Sequence, residues 1–347
     1  MSKAAELAAL IGSQSALSNR NLIINGAMQV DQRNNGSSIT VPNATSTYVP
    51  DRFRINESSG AVFTAQRVDD APVDFEYSSK ITVSTADTSL GAAEFNRMVH
   101  AIEGQNISHL NWGTSNAKTL TLTFYVKSSV TGQYYISVFN SAANRTLLKG
   151  YTIDSANTWE KKTITIIGDQ TGTWLTTNGA GIYLMWSLGS GSNYQSDTLD
   201  AYQASFAMSK SDQVNFAASV SSTWQLTGVQ LEVGEQATPF EHRSYADELQ
   251  KCKRYFFRTD TFTFFPIPRW SASSGRPLAQ YNLPVNMRAA PSVSISTSFT
   301  DGQSYSGTPV FGDQNTTNFY MGSSQASASA NNIYWAHGGV LDISAEL

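Results

Sequence analysis

Repeated alternation of apolar and polar residues constrains the fold of this chain more than any other feature of its sequence. Between residues 118 and 127, Leu120, Leu122, Phe124 and Val126 alternate with threonines and a tyrosine. Successive side chains of a β-strand point to opposite faces, so this period of two predicts a strand with one buried face. Alternation or a continuous aromatic run predicts further strands over residues 134–139, 159–167, 181–188 and 224–233, the last with an irregularity at Gly228.

The connections between these segments indicate an antiparallel arrangement. The apolar run Asn21–Gly26, for example, ends at an Asn-Gly turn signal. No strand-like segment alternates with a long amphipathic helix, which argues against a parallel α/β sheet. Charged residues make up only 14% of the chain, against about 25% in an average domain, and neutral polar residues replace them. We therefore predict an all-β chain built on an antiparallel sandwich or barrel.

Charge and cysteine content argue against several kinds of partner. The net charge is −4 and the sequence has no basic run, whereas proteins that bind a phosphate backbone carry a basic patch. Cys252 is the single cysteine, so no disulfide forms within the chain, as suits a reducing cytoplasm. No segment reaches the ~20 apolar residues of a membrane span, and the N-terminal stretch is too short for a signal peptide. We expect no nucleic-acid binding and no membrane insertion.

A short helix is predicted at the N-terminus. Ala4, Leu7 and Ile11 fall on one helical face. Helices below about 12 residues rarely form alone in water, so this one needs a partner. We interpret the segment as an attachment or oligomerisation element, with a frayed tail as the alternative.

The clearest helix is predicted over Ser244–Phe257. Asp247 follows Ser244 by three residues, which is a variant of the capping box. Cys252 is expected to pack as a small buried apolar group. One face of this helix carries Leu249, Cys252 and Phe256.

The sequence contains no motif of a recognised catalytic or metal-binding type. The four histidines form no ligand spacing with another His or Cys, and no nucleophile elbow, P-loop or HExxH motif occurs. Glycoside hydrolysis needs two carboxylates about 5 to 10 Å apart, and nothing marks Glu232 or Glu241 as such a pair. We therefore interpret the chain as non-catalytic.

Aromatic residues beside short polar side chains are candidates for sugar binding. Sugar rings stack on aromatic faces, while their hydroxyls pair with amide side chains in a pocket of this kind. Trp112 and Tyr194 each lie close to two Asn or Gln residues. The alternative is that the aromatic residues fill the sandwich cores. The candidate platforms are Trp112, Tyr194, Tyr305, Tyr320 and Trp335.

Three stretches, taken in order, resemble segments of tailed-phage fibre and virion proteins. The first is similar to the opening of their jelly-roll domains, the second to the closing strand, and the third to the helix and strand that follow. These stretches are NLIINGAMQVDQR at 21–33 with YVPDRF at 48–53, TGVQLEVG at 227–234 with ATPFE at 237–241, and ELQKCKRYF at 248–256 with MRAAPSV at 287–293.

The resemblance implies a virion protein, usually trimeric, with a jelly roll like that of carbohydrate-binding modules. Its N-terminus would bind other virion proteins, and its C-terminal domain would meet a host-surface glycan. Such a protein is made in the host cytoplasm without a signal peptide. The expected organisation is an attachment segment over 1–18, a jelly roll over 19–241, a connecting helix over 242–258 and a C-terminal β-sandwich over 259–347.

Modules of this kind often hold a structural calcium ion. The positions that match its ligands are Asn25, Gly26 and Glu232. In those modules an acidic residue usually follows the Asn-Gly pair, whereas here Ala27, Met28 and Gln29 follow it. This departure from the pattern argues against a metal ion at the implied site.

Two other functions fit the same sequence. An architectural protein, such as a capsid-decorating or head-fibre protein, would need no receptor. A polysaccharide depolymerase would need a carboxylate pair in a cleft, and the absence of long repeats, and so of a β-helix, argues against it.

Overall fold

The computed structural model describes residues 19–260, 262–263, 278–297, 300–301, 309–312, 314–323 and 336–347. The chain divides into two compact units, one up to Glu248 and the other from Leu249 onward. This division falls inside the segment that the sequence predicts as a connecting helix.

The first unit is a sandwich of two β-sheets. Its strands are β1 (Ile39–Val41), β2 (Ser46–Tyr48), β3 (Phe53–Ser58), β4 (Val62–Val68), β5 (Ser78–Thr85), β6 (Phe95–Glu103), β7 (Leu120–Ser128), β8 (Gly132–Phe139), β9 (Thr146–Ile153), β10 (Glu160–Ile166), β11 (Ala180–Ser190), β12 (Tyr202–Gln203) and β13 (Thr223–Val233). Short 3-10 helices cover Gly104–Asn106, Ser108–Leu110, Ser192–Tyr194 and Phe216–Ala218.

The two sheets are antiparallel throughout their strand ladders. The first sheet has the spatial order β1-β4-β5-β13-β7-β10, and the second has the order β12-β9-β8-β11-β6-β3-β2. Five predicted strands appear as β7, β8, β10, β11 and β13, with ends shifted by a few residues at most. The all-β antiparallel sandwich predicted from the sequence is confirmed.

Large apolar side chains from both sheets fill the space between them. Phe124 of the first sheet packs against Trp186 of the second, with ring centres 5.9 Å apart. Phe53 and Trp224 are also fully buried, and burial of one such side chain contributes about 1.5–3 kcal/mol. The inward residues of β7 are those that the alternation predicts, namely Leu120, Leu122, Phe124 and Val126.

The predicted irregularity at Gly228 is a β-bulge. The register between β13 and β7 shifts between Thr227 and Gln230, and Gly228 has a φ of +60°. A Cβ atom at this position would lie 2.7 Å from the Phe75 ring and 2.8 Å from the Tyr125 ring. Glycine therefore satisfies both the left-handed backbone and the close approach of two aromatic rings.

The segment Asn21–Gly26 does not form the strand that its apolar run suggests. It lies beside β13, where the Leu22 amide donates to the Leu231 carbonyl at 2.9 Å. The Asn21 side chain takes two positions of the ladder itself, donating to the Val229 carbonyl and accepting from the Leu231 amide. Such side-chain bonds compete with a regular strand. The turn after the run is present, since the Met28 amide donates to the Asn25 carbonyl.

The predicted helix is shorter than expected. Helix α1 covers Tyr245–Lys253, and Ser244 caps it by accepting the Asp247 amide at 3.2 Å. Cys252 is buried, as predicted. Phe256 does not belong to the helix but begins β14 (Phe256–Arg258), because its backbone pairs with a later strand instead of continuing the helical bonds.

The second unit is built around one long strand. Its strands are β14, β15 (Phe262–Thr263), β16 (Leu278–Asn282), β17 (Ser292–Thr297), β18 (Thr300–Asp301), β19 (Pro309–Gly312), β20 (Asn318–Ser323) and β21 (Ala336–Ser344). Strand β21 pairs with β14, β15, β17 and β18, and β20 lies between β16 and β19 in a second sheet. The predicted strand character of residues 332–347 appears as β21.

A small core stabilises this unit. Met287, Phe319, Leu341 and Ile343 are buried together, and the Tyr281 ring stacks on Phe319 with centres 5.2 Å apart. Among the residues that the structure describes, α1 is the one α-helix, and no helix is long and apolar enough to cross a membrane.

We expect Asn25→Ala to lower the free energy of unfolding of the first unit by about 2–4 kcal/mol. The buried Asn25 amide donates to the Val30 and Asp51 carbonyls, and its oxygen accepts the Val30 amide at 2.9 Å. Alanine would leave these groups unpaired and would also hold a φ of +63°. Urea unfolding followed by tryptophan fluorescence measures the change. The exposed Asn116→Ala is the control, and equal effects of the two would contradict the structural role of Asn25.

Candidate functional site

Three polar side chains lie side by side across the second sheet. The register pairs Asn56 of β3 with Arg97 of β6, and Arg97 with Ser187 of β11. Met98 and Trp186, one position away along their strands, are buried in the main core. Because side chains alternate across a strand, Asn56, Arg97 and Ser187 point to the outer face of the sandwich. We call these three residues the polar row.

Half-buried aromatic rings surround the polar row. They belong to a second apolar cluster, separate from the main core, around Met185 and Met208. Phe95 meets Tyr194 edge-on with ring centres 5.4 Å apart, and Tyr183 stacks on Phe139 at 4.9 Å. The polar row, Arg54 and these rings together form what we call the arginine–aromatic face, made of Arg54, Asn56, Phe95, Arg97, Tyr183, Ser187, Tyr194 and Phe206.

Two guanidinium groups lie on aromatic rings of this face. The Arg97 guanidinium carbon is 4.4 Å from the centre of Phe95, and that of Arg54 is 5.3 Å from the centre of Tyr183. Such cation–π contacts are worth about 0.5–2 kcal/mol each. Burial, and then the charge of Arg54, lower the pKa of Arg97 to about 10. Arg97 therefore keeps its positive charge at neutral pH, close to a second positive charge.

Each member of the polar row has an unsatisfied buried atom. Asn56 Oδ1, Arg97 Nε and Ser187 Oγ have no hydrogen-bond partner among the described residues. An unpaired buried polar atom costs about 1–3 kcal/mol, and native proteins contain few of them. All three atoms are themselves buried, and Ser187 is 0% exposed. The polar side chains of the row that remain partly accessible on this face are therefore Asn56 and Arg97.

The segment between β12 and β13 covers one end of the face. Tyr135 of β8 donates its hydroxyl to Asp212 Oδ1 at 2.6 Å, and Ser137 of the same strand donates to the Ala207 carbonyl at 2.6 Å. The β8 end is therefore occupied by the protein's own loop. Half-buried side chains remain on β3 and β6, at Arg54, Asn56 and Arg97.

A groove of about 730 Å³ lies on the outer face of the first sheet. Its centre is Phe75, whose ring centre is 4.9 Å from Phe240, 5.4 Å from Tyr125 and 5.5 Å from His242. The bulge at Gly228 makes room for these rings. Charges of both signs line the groove, at Asp74 and Lys161, so it has no marked preference for a charged ligand.

The two candidate platforms of the first unit, Trp112 and Tyr194, differ in how accessible their rings are. Trp112 is only 7% exposed, donates its indole N–H to the Lys118 carbonyl and packs edge-on against Trp174 at 4.7 Å. Its ring therefore fills a core position and offers no open face to a sugar. Tyr194 is half-buried beside Phe95 and Phe206, within the arginine–aromatic face.

The other three candidate platforms lie beyond the described side chains. Tyr305 and Trp335 fall outside the described residues, and Tyr320 is described only as a backbone position of β20, opposite Gln280. Their role in sugar binding stays a prediction. The attachment positions Ala4, Leu7 and Ile11 also lie outside the described residues.

The positions that match calcium ligands are engaged in bonds within the protein. The Asn25 oxygen accepts the Val30 amide, and the Gly26 carbonyl accepts the Val229 amide. Glu232 accepts the amide and hydroxyl of Thr238 at 2.9 and 2.6 Å. Across the described ranges, no three His, Cys, Asp or Glu side chains are grouped to hold a metal ion. The three positions thus have a structural account that involves no metal.

Arg54, Arg97, Tyr183 and Ser187 were missed in the sequence. The signal was present in part: an alternating pattern continued along residues 95–102 puts Arg97 on the face opposite Met98. The sequence does not show that Asn56 and Ser187 flank it, because the register between β3, β6 and β11 joins distant segments.

No protein-family model matches the chain, and no curated protein matches it significantly. The enzymatically active domain of tailspike protein 4 from bacteriophage CBA120 is similar over 62% of this chain and 21% of that chain, with 14% identity and a TM-score of 0.35. This chain thus matches about a fifth of that tailspike chain.

Two carbohydrate-binding modules are similar at a comparable level. A family 4 module matches 60% of this chain and 98% of its own, with 12% identity and a TM-score of 0.29. The family 11 module of Clostridium thermocellum, solved with a β-1,3-1,4-mixed-linked tetrasaccharide, matches 56% and 94%, with 9% identity and a TM-score of 0.28. These similarities are too weak to add to the fold, which the strand pairing itself establishes.

We expect Arg97→Met to leave the free energy of unfolding unchanged or to raise it by up to about 1 kcal/mol, since an apolar chain of similar length removes an unsatisfied buried charge. The matched control is Arg145→Met, because Arg145 is paired with the buried Asp169 at 2.6 Å and its loss should cost about 3 kcal/mol. Denaturant unfolding measures both. A large loss of stability in Arg97→Met would show that Arg97 is retained for folding.

Proposed function

We propose that this chain is a non-catalytic recognition protein of a tailed-phage particle, which binds a host-surface glycan through the arginine–aromatic face. The observation that carries the proposal is the arginine–aromatic face, where the half-buried side chains of Asn56 and Arg97 lie among half-buried aromatic rings on the outer face of a sandwich. A sugar needs both kinds of contact, because its C–H faces stack on rings and its hydroxyls exchange hydrogen bonds.

The phage assignment depends on the sequence resemblance over residues 21–33, 48–53, 227–234, 237–241, 248–256 and 287–293. The same resemblance implies a homotrimer, attachment to other virion proteins through residues 1–18, and location on the virion. A threefold assembly would bury the apolar face of Ala4, Leu7 and Ile11 against its symmetry mates.

Glycan binding is tested with the full chain on an array of bacterial surface polysaccharides, followed by titration calorimetry with the best ligand. We expect Tyr194→Ala to weaken binding at least tenfold, about 1.4 kcal/mol, because a half-buried ring of the face that makes only edge-on contacts is lost. The control is Tyr125→Ala, which removes a ring from the groove on the first sheet and should leave the affinity unchanged. If Tyr125→Ala weakened binding and the variant of the arginine–aromatic face did not, the glycan site would lie in that groove instead. If no glycan on the array bound, the proposed function would be contradicted.

The trimer is tested by light scattering. We expect a mass of about three chains of 37.7 kDa for the intact protein, and loss of the trimer when residues 1–18 are removed. A stable monomer in both cases would rule out the symmetric fibre or spike.

A further inference from the structure

We infer that the sugar recognised at the arginine–aromatic face carries an oxyanion, such as the carboxylate of a uronic acid, which binds the guanidinium group of Arg97. This inference rests on the proposed function and names the class of glycan that the same site takes.

Arg97 differs in its surroundings from other arginines of the chain. Its Nη1 contacts the Met185 sulfur at 3.7 Å, and its planar group lies on Phe95. The charged side chain that acts most strongly on it is Arg54, and no carboxylate of the described part of the chain is among its close partners. Other guanidinium groups face carboxylates, in the pairs Arg33–Asp51, Arg145–Asp169, Arg243–Glu241 and Arg258–Asp342.

The net charge of the protein and the local charge of the arginine–aromatic face have opposite signs. The chain has a net charge of −4, so an acidic polymer meets a weak general repulsion that falls off beyond about 10 Å at 0.1 M salt. Close to the face, the charges of Arg97 and Arg54 dominate. An oxyanion placed there neutralises a charge that burial disfavours, and it relieves the repulsion between the two guanidinium groups.

The geometry of the face fits an acidic sugar better than a simple anion. A guanidinium group presents parallel N–H donors that match the two oxygens of a carboxylate. Asn56, half-buried beside Arg97 in the polar row, offers its side-chain amide to the ring hydroxyls of the same sugar. The neighbouring rings of Tyr194 and Phe206 provide apolar surface for its C–H face.

The test uses pairs of ligands that share one sugar backbone and differ in whether it carries an oxyanion. Titration calorimetry with the full chain compares an oligogalacturonate with its fully methyl-esterified form, and a sulfated galactan oligosaccharide with its desulfated form. We expect the charged member of at least one pair to bind at least tenfold more tightly, and this advantage to shrink as salt rises from 50 to 500 mM. The pair that responds identifies the oxyanion as carboxylate or sulfate.

Two variants assign the effect to Arg97. Arg97→Met should abolish the advantage of the charged ligand, and Arg97→Lys, which keeps the charge but loses the planar fork, should retain part of it. Unchanged unfolding midpoints show that the variants are folded, and Arg254→Met, a change in the other unit, controls for general charge.

The outcomes separate this inference from the proposed function. Equal binding of charged and uncharged partners, or a charge preference that survives Arg97→Met, overturns the oxyanion inference while glycan binding stands. Failure of every sugar, on these titrations and on the polysaccharide array, overturns both.

Discussion

Burial of Met98 and Trp186 between the two sheets fixes the direction of the remaining side chains on β6 and β11. Since side chains alternate across a strand, the residues one position away face outward whatever their polarity. A slip of one residue would expose tryptophan and bury Arg97, so the register is strongly specified. The hydrophobic core thereby holds in place a polar row in which each side chain has one buried atom without a hydrogen-bond partner among the described residues.

Much of the first unit could be predicted from alternation alone. Strands β7 and β13 follow the period-two pattern closely, because one face of each packs apolar residues into the main core. The bulge at Gly228 interrupts the pattern where glycine interrupts the sequence. Prediction failed where contacts with a distant segment of the chain decide the local backbone conformation. Asn21 takes ladder positions with its amide, and Phe256 leaves the helix to pair with Ser344.

The candidate site could be predicted only in part. Trp112 and Tyr194 have similar sequence surroundings, but Trp112 meets Trp174 and is buried, whereas Tyr194 reaches the outer cluster. Which of the two stays accessible depends on contacts between distant segments. The polar row depends in the same way on strand register, so local composition favours aromatic platforms but does not reveal the arginine between them.

The pairing of β21 in the second unit has a consequence for the order in which the protein is made. Strands β14, β15, β17 and β18 all pair with β21, and β21 comes after all four in the sequence. On the ribosome, these strands emerge before their common partner exists, and their edges stay unpaired until it is synthesised. The first unit has all its strands much earlier, so the two units mature at different times, and the second completes its sheet only once translation has passed Ser344.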